Sequence, residues 1–379
     1  MFIEIKGINS TNQGSQMMLL TIIQELGRDG PFRFVIAPHP GVCEYPSYAP
    51  LGIYPKAWLE YKGFQFGNVA RILPRKLRQM YGLVLDEEVR AVLDASGFAY
   101  SDQWGEGPAR RMARDAARWK KAGKKIILMP QAFGPFKSKN MRSSMKRILE
   151  SADLVFARDD LSYRLLQEIG GNLPTIKGCP DFTMRLKGAQ PTYFDPRVHQ
   201  VAIVPNQRMI DKTRDGERYL EILIKAIAYV RKHGLSPFFL ILGGNEDLNL
   251  SNVINQRIAD PLPVVDEKDP RYLKGLIRSS LGMVGSRFHG LANALYEGVI
   301  AIGIGWSQKY RYLFDDMDFA QGLLRFDITD NELYERLDLL TDPKRKAERS
   351  SRLFQKKEQQ EQKVQAMFED VKRILGGER

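Results

Sequence analysis

Arg287 and His289 are separated by one residue, and they stand where a predicted strand (281–284) passes through a turn into a predicted helix (290–297). The N-terminus of a helix attracts anions because its first N–H groups lack helical partners and its dipole is positive there. An arginine and a histidine at this position therefore predict a binding site for a phosphate or a carboxylate. Neighbouring residues that we expect to contribute to this site are Ser286, Gly290 and Lys309.

Other polar residues lie where predicted strands end, which is the edge at which open α/β sheets bind their ligands. Arg208 follows the predicted strand 201–204 and would point to the same crevice as Arg287. Candidate residues in the first half of the chain are Asn9, Asn12, Gly14, Asp102 and Asp181. All of these have a plainer interpretation, as turn residues, helix caps or surface charges. Asp159 and Asp160 open a predicted helix, and we interpret both as capping residues.

The elements that must position these residues alternate between strands and helices in two series. The first series begins with strand, polar loop, helix and strand over residues 2–37, as a doubly wound domain does. Within this series we predict a helix at 86–95 and a short strand at 97–100. A polar stretch at 187–197 with two prolines indicates a linker, and the second series starts at Gln200.

The fold class that follows is α/β, with two Rossmann-like domains and a long C-terminal helix. The predicted domains are an N-terminal one at 1–187 and a C-terminal one at 198–328, with further helices over 329–379. Those last helices are charged and carry only a thin apolar stripe, so we expect them to pack on a surface, for which the N-terminal domain is a candidate.

The amino-acid composition of the chain restricts the classes of function that the protein can have. The chain has 379 residues, 43% of them hydrophobic, and a net charge of +12. Such a surplus favours anionic substrates or anionic membrane surfaces, although a merely soluble basic surface is an equal alternative, and we find no nucleic-acid-binding motif. The two cysteines and four histidines show no metal-ligand spacing, so we expect neither a metal site nor a disulfide. No apolar run is long enough to span a membrane. Because the cysteine usage indicates no disulfide and the N-terminus MFIEIKGINS has the pattern of a strand and a loop, not of a secretion signal, we expect a cytoplasmic protein.

Residues 38–83 interrupt the alternation of strands and helices, and we call this segment the excursion. It contains six prolines and many aromatic residues, with basic residues interleaved. Those basic residues are Lys56, Lys62, Arg71, Arg75, Lys76 and Arg78. Because aromatic rings stack on sugars or settle at membrane interfaces, the excursion is a candidate for acceptor binding or membrane contact. A local apolar core beneath a loop is an equal alternative.

Five segments resemble, in the same order, sequence blocks of the polysaccharide pyruvyl transferase family. They are NSTNQGSQMM (9–18), PQAFGP (130–135), FARDDLSYRLLQEIG (156–170), CPDF (179–182) and GSRFHGLANALYEGVIAIGIGWSQKYRYLF (285–314). The last block and the order of the blocks carry most of the specificity. The resemblance implies a GT-B-like fold, in which two Rossmann-like domains face a cleft, the first on the acceptor side and the second on the donor side.

The reaction that the resemblance implies moves the enolpyruvyl unit of phosphoenolpyruvate onto two hydroxyls of one sugar, as a ketal, in a polysaccharide or its lipid-linked precursor. Arg287 would clamp one anionic group of this donor, with Arg208 and Lys309 near the other. His289 would be either the general acid that protonates the methylene carbon or a phosphate ligand, and both roles stay open. Asp181 and Asp102 are candidates for the base that takes the hydroxyl proton. This scheme needs no metal and no organic cofactor.

Two other functions fit the same residues. A GT-B glycosyltransferase would use a nucleotide sugar, and Glu297, at the end of the helix that follows His289, is a candidate ligand for the ribose. A non-catalytic glycan-binding protein at the membrane surface would use the basic surplus and the excursion. The partners we expect are phosphoenolpyruvate and a glycan or lipid-linked oligosaccharide, without nucleic acid. Peripheral contact with the inner membrane face and homo-oligomerisation are further hypotheses.

Overall fold

The structure is a computed structural model that describes residues 1–27, 30–39, 42–61, 64–305 and 307–376, and it divides into two compact units. The first unit comprises Met1–Ser10, Met18–Phe182 and the chain from Lys363 onward, and the second comprises Thr11–Met17 and Thr183–Gln362. The short segment Thr11–Met17, which contains the predicted site residues Asn12 and Gly14, therefore groups with the second unit. Lys62 of the excursion lies outside the described residues.

A parallel sheet forms the centre of the first unit. The strands are β1 (Phe2–Lys6), β2 (Arg33–Ile36), β3 (Tyr54–Pro55), β4 (Glu60–Tyr61), β5 (Phe64–Gln65), β6 (Val89–Asp94), β7 (Lys125–Gln131), β8 (Leu154–Ala157) and β9 (Ile176–Gly178). The helices are α1 (Gln13–Leu26), α2 (Arg75–Met80), α3 (Gly107–Lys121), α4 (Lys139–Ser151) and α5 (Asp160–Gly170). The sheet order is β3-β2-β1-β6-β7-β8-β9, and β4 and β5 form a separate antiparallel hairpin. Its centre is buried under helices on its faces, as parallel sheets require.

The predictions of a helix at 86–95 and of a strand at 97–100 are wrong. Residues Val89–Asp94 form β6, a central strand that pairs with β1 and β7, and only an isolated bridge at Tyr100 marks the predicted strand. All residues of β6 except Arg90 are buried, so the strand lacks the alternation that distinguishes a half-buried strand from a helix. Burial on both faces in the middle of a parallel sheet decided its conformation.

A buried charge cluster ties the excursion to this sheet. Lys56 Nζ lies 2.6 Å from both Glu4 Oε2 in β1 and Asp86 Oδ1, and the side chains of Lys56 and Glu4 are almost fully buried. Lys124 and Arg118 also pair with Asp86, at 3.0 and 2.9 Å. Burial alone would raise the pKa of Asp86, but these surrounding cations hold it well below its ordinary value.

The second unit repeats the same architecture. Its strands are β10 (Val201–Val204), β11 (Pro237–Leu240), β12 (Val264–Val265), β13 (Gly282–Gly285), β14 (Ala301–Ile304) and β15 (Leu323–Leu324). Its helices are α6 (Arg208–Asp211), α7 (Gly216–Lys232), α8 (Asn245–Arg257), α9 (Pro270–Ser279), α10 (Phe288–Tyr296), α11 (Gln308–Asp316), α12 (Asp330–Thr341) and α13 (Pro343–Gly376). All strands are parallel, in the order β12-β11-β10-β13-β14-β15.

That strand order reverses direction between β10 and β13, and this point positions the candidate site. In doubly wound sheets the ligand binds outside the carboxyl ends of the two strands at such a reversal. The chain leaves β10 at Val204 and β13 at Gly285, and these two residues are paired in the sheet. The loops that begin there carry Arg208 and Arg287, as the strand-end argument predicted.

The long helix α13 begins in the second unit and ends in the first. Within the second unit, Phe354 lies against Gly298. Within the first, Lys177 Nζ contacts Asp370 at 2.5 Å and Phe368 packs edge-on against Phe182. The thin apolar stripe of the helix is thus buried, at Leu353, Val364, Met367, Phe368 and Val371.

Candidate functional site

His289 lies in the first turn of α10, directly against the backbone of Gly14 in the first turn of α1. A Cβ atom added to Gly14 would overlap the imidazole, at 2.6 Å from Cγ and 2.7 Å from Cε1. Real Cβ atoms do not approach other atoms so closely, so only glycine fits at position 14 beside this ring. The structure thus places two predicted site residues, Gly14 and His289, in contact. The absence of a side chain at Gly14 leaves the space that the His289 ring occupies.

Arg287 is held by a carboxylate that the sequence reasoning missed. Its Nε and Nη2 donate to Asp247 Oδ2 and Oδ1 at 2.6 and 2.5 Å, in a bidentate pair at the start of α8. Asp247 is fully buried and the Arg287 side chain is 20% exposed. Burial by itself would lower the pKa of Arg287, but the hydrogen bonds and charge of Asp247 outweigh it and raise that pKa. Arg287 is therefore positively charged, and Asp247 holds its guanidinium in position.

Gly243 allows this pair to form close to the sheet. A Cβ atom at position 243 would overlap both the guanidinium of Arg287 and the carboxylate of Asp247. Asp247 Oδ1 also accepts the N–H of Gln207, at 3.0 Å, so the same carboxylate joins the loop after β10 to the loop after β13. The sequence signal that could have identified Asp247 is its place in GGNED (243–247), immediately beyond the apolar run FFLIL at 238–242.

Ser286 forms the turn between β13 and α10 and has no exposed surface. Its carbonyl oxygen accepts hydrogen bonds from Asn206 Nδ2 at 2.7 Å and from the Tyr310 hydroxyl at 2.8 Å. Asn206 Oδ1 in turn accepts the N–H of Arg208, at 3.0 Å. The three loops that follow β10, β13 and β14 are thereby fixed to one another through the turn that carries Arg287.

The remaining predicted cations differ in their surroundings. Lys309 is half-buried, and its Nζ lies 5.4 Å from the ring centres of both Phe288 and Tyr310, at cation–π distance. Arg208 begins α6, is 45% exposed, and lies 3.7 Å from Asp211. Gly290 is buried in α10, where an added Cβ would meet only ordinary contacts with Leu242 and Arg287.

The first loop contributes a helix cap. Asn12 Oδ1 accepts the N–H of Ser15 at 3.1 Å, which is the capping interaction given above as the plainer interpretation of this residue. Asn12 is exposed and belongs to the second unit, whereas Asn9 is half-buried and belongs to the first.

The predicted carboxylates Asp102 and Asp181 both belong to the first unit. Asp102 accepts the N–H groups of Lys137 and Ser138, at 2.5 and 3.4 Å, ahead of α4. Asp181 is buried and pairs with the buried Arg158 at 3.3 Å. Asp102 therefore binds the backbone just ahead of α4, whose N-cap is Ser138, and Asp181 has an observed ion-pair partner.

The segments 156–170 and 130–135, both given above as similar to family sequence blocks, are joined by a hydrogen bond in the first unit. Asp159 Oδ1 accepts the N–H of Ser162 at 2.8 Å, which confirms the predicted cap of α5. Ser162 Oγ in turn accepts the N–H of Phe133 at 2.8 Å. The block at 156–170 thus holds the block at 130–135 in place.

A buried polar cluster at the end of β6 also escaped the sequence reasoning. Asp94 accepts hydrogen bonds from Ser96 at 2.5 Å, Tyr100 at 2.8 Å and Gln131 at 3.2 Å. Burial and the neighbouring charge of Asp94 raise the pKa of Tyr100. Because the sequence predicts a helix at 86–95, it does not identify Asp94 as the last residue of a strand. The cluster around Asp94 could therefore not be predicted.

The arrangement in the second unit suits an anion. Asp247 occupies the Nε–Nη2 edge of Arg287, and the Nη1 group makes no hydrogen bond to the described residues. The cation, His289 and the positive end of the α10 dipole stand together at the strand ends. A ligand with a phosphate or carboxylate would meet a cation whose position and charge are already fixed.

Solved structures with a similar fold include proteins whose names refer to UDP, to UDP-glucose or to UDP-glucosyl transfer. The Anabaena protein Alr3699/HepE in complex with UDP-glucose is 11% identical, with 99% of each chain covered and a TM-score of 0.60. A Polygonum tinctorium UDP-glucosyltransferase is 13% identical, with 100% of this chain and 99% of that chain covered and a TM-score of 0.56. Staphylococcus aureus MnaA with UDP is 12% identical, with 93% and 90% covered and a TM-score of 0.56.

These likenesses confirm the predicted fold class, α/β and GT-B-like with a long C-terminal helix. No curated protein sequence matches the chain. Residues 12–308, well over half of the chain, match the sequence profile of the family described as polysaccharide pyruvyl transferase. That range includes Gly14, Asp247 and the Arg287–His289 turn. The chain therefore belongs to the polysaccharide pyruvyl transferase family.

Proposed function

We propose that the protein transfers the enolpyruvyl unit of phosphoenolpyruvate to a sugar and forms a pyruvate ketal. The observation that carries this proposal is the pair of Arg287 and His289 at the strand reversal of the second sheet, one fixed by Asp247 and the other confined by Gly14. Membership of the family supports the same reaction class. The acceptor is a glycan or its lipid-linked precursor.

Donor binding would use the cations of the second unit. Phosphoenolpyruvate carries a carboxylate and a phosphate, and Arg287 Nη1 would donate to one of them. Lys309, held over two aromatic rings, and Arg208, exposed at the start of α6, are the proposed contacts for the other. The dipole of α10 would add to the attraction. No metal or organic cofactor enters this scheme.

The chemistry requires one proton at carbon and two new C–O bonds. His289 would protonate the methylene carbon, which becomes the methyl group, while the first sugar hydroxyl adds to the central carbon. The second hydroxyl then forms the other C–O bond as phosphate leaves. The two hydroxyl protons balance the methyl proton and the proton on phosphate. Asp181 remains our candidate for accepting a hydroxyl proton.

We assign His289 the proton-donor role because of its confinement by Gly14. A ligand for phosphate tolerates small shifts in position, whereas proton transfer to carbon depends on the direction of the ring. His289→Gln should therefore lower turnover far more than it weakens phosphoenolpyruvate binding. An equal loss in both quantities would assign His289 to phosphate binding instead.

The direct test of the function is product analysis. The protein should be incubated with phosphoenolpyruvate and a panel of glycans and lipid-linked oligosaccharides, and mass spectrometry should detect a pyruvate ketal together with released phosphate. Arg287→Gln should abolish both signals. Transfer of a sugar from a nucleotide sugar, without any ketal from phosphoenolpyruvate, would contradict the proposal.

The nucleotide-sugar alternative is favoured by the named ligands of the structural neighbours, UDP and UDP-glucose. Glu297, its candidate ribose ligand, is largely buried and surrounded by Lys274 at 3.4 Å, Lys357 at 3.7 Å and Arg278 at 4.0 Å. A carboxylate already surrounded by three cations is poorly suited to accept ribose hydroxyls, and this weighs against the alternative. Thermal stabilisation by UDP-, GDP- or CMP-sugars, compared with phosphoenolpyruvate, separates the two donors.

A further inference from the structure

The excursion exposes an unusual amount of apolar surface. Eight of the eighteen large hydrophobic side chains that are exposed in the described part of the chain lie between residues 59 and 81. The most prominent are Phe66, Val69, Ile72, Leu73, Met80 and Tyr81. Ile72 is 82% exposed and Met80 76%. Scattered exposed apolar residues are ordinary, but a concentration of them in one short segment marks an interaction surface.

The backbone of this segment is nevertheless well ordered by local bonds. It forms a 3₁₀ helix at Gly67–Ile72 and then α2, which Tyr81 closes by donating its N–H to the Leu77 carbonyl. Arg78 pairs with Glu88 at 2.9 Å and anchors α2 to the segment before β6. All residues of α2 except Arg78 are exposed, so the helix has no apolar face packed against the described residues of its unit. We call residues 66–81 the apolar-basic surface.

Charge indicates what covers this surface. Residues 66–81 contain four basic residues and no acidic one. Arg71 and Arg78 pair with Glu87 and Glu88. Arg75 and Lys76 are exposed on α2, between Ile72 and Met80 in the sequence. A second copy of the chain would bring two such positive segments together and would be repelled. An anionic lipid surface satisfies both the apolar side chains and the charges.

We propose that the apolar-basic surface docks the protein onto anionic lipid bilayers, with the side chains of Ile72 and Met80 entering the headgroup region and Arg75 and Lys76 contacting lipid phosphates. No helix in the described ranges combines the length and hydrophobicity needed to cross a membrane, so this contact is a peripheral one. The proposal concerns the first unit alone and does not depend on the transfer reaction. A lipid-linked acceptor would gain from it, because the enzyme and the acceptor would share one surface.

The test is co-sedimentation of the full chain with vesicles. Binding is expected to vesicles of phosphatidylglycerol and phosphatidylcholine, and to weaken strongly on pure phosphatidylcholine. Arg75→Gln with Lys76→Gln should reduce the partition coefficient about thirtyfold, from the loss of two charges near an anionic surface. Ile72→Asp with Met80→Asp should reduce it roughly a hundredfold, from the loss of two buried apolar side chains.

Matched variants control for general charge and hydrophobicity. Arg110→Gln with Arg111→Gln removes two exposed charges from α3 of the same unit, and Val253→Asp removes an exposed apolar residue from α8. Both should bind vesicles as the wild type does. Because all substituted side chains are exposed, the melting temperature should be unchanged in each variant.

Three results would overturn the proposal. The first is absence of binding by the wild-type chain to phosphatidylglycerol vesicles. The second is full binding by either variant of the apolar-basic surface. The third is a concentration-dependent dimer, seen by light scattering, that Ile72→Asp with Met80→Asp abolishes, since this would assign the surface to a second copy of the chain.

Discussion

Gly14→Ala should disable the enzyme while leaving it folded. The added Cβ would lie 2.6 Å from His289 Cγ, whereas two carbon atoms in contact are about 3.5–4.0 Å apart. The imidazole must therefore move by about 1 Å or rotate away. Misplacement of a reacting group by this amount lowers turnover about a hundredfold, so we expect a loss of that order in phosphate release from phosphoenolpyruvate.

The effect of this substitution on stability should be much smaller. Overpacking costs about 1–3 kcal/mol, but alanine in the first turn of α1 recovers about 0.5–1 kcal/mol relative to glycine. A net loss of about 1 kcal/mol, measured by urea unfolding, is compatible with a fully folded protein. Gly107→Ala is the matched control, because its Cβ would meet only Arg111 Nη1, at 3.5 Å, in the first turn of α3.

The assay should separate chemistry from binding. Acceptor-dependent phosphate release measures turnover, and titration calorimetry measures affinity for phosphoenolpyruvate. Near-normal turnover of Gly14→Ala would refute the proposal that Gly14 fixes the position of a catalytic imidazole. A loss of affinity as large as the loss of turnover would instead support the phosphate-binding role of His289.

Three further substitutions test other largely buried charged side chains of the protein. Asp247→Asn should destabilise the second unit by about 3 kcal/mol in urea unfolding, because it leaves the largely buried charge of Arg287 without its carboxylate. Lys274→Met should cost about 2–4 kcal/mol in the same measurement, since the buried ammonium donates to two backbone carbonyls. Asp86→Asn should flatten the acid limb of the stability profile. The pKa of Asp86 is lowered in the folded state, so its contribution is present above about pH 4 and is lost as the pH falls further. A variant with the acid slope of the wild type would contradict the role given to the cluster around Lys56.

The turn from β13 into α10 was predictable because its signals are local. The change from a short apolar run to helical spacing lies within a few residues, and the structure has β13 and α10 where the sequence predicted them, with bounds that differ by two residues at most. The helix-start argument needs only the position of Arg287 and His289 relative to that change. The predicted cap at Asp159 is of the same local kind.

The partners of those residues could not be predicted, because they come from distant parts of the chain. Asp247 lies forty residues before Arg287, and only the order of the strands brings the loops after β10, β11 and β13 together. In the sequence Gly14 is one of several small residues of a polar stretch, and its contact with His289 depends on the segment Thr11–Met17 grouping with the second unit. The error at β6 has a similar origin, since burial on both faces removed the period that marks a strand.

The most direct test of the central claim is to map where the donor binds. Mass spectrometry should be used to measure hydrogen–deuterium exchange of the protein with and without phosphoenolpyruvate. We expect protection in peptides that cover residues 11–17, 243–248 and 286–291, and loss of this protection in Arg287→Gln. Protection confined to other peptides, or protection of these peptides only by a nucleotide sugar, would contradict this claim.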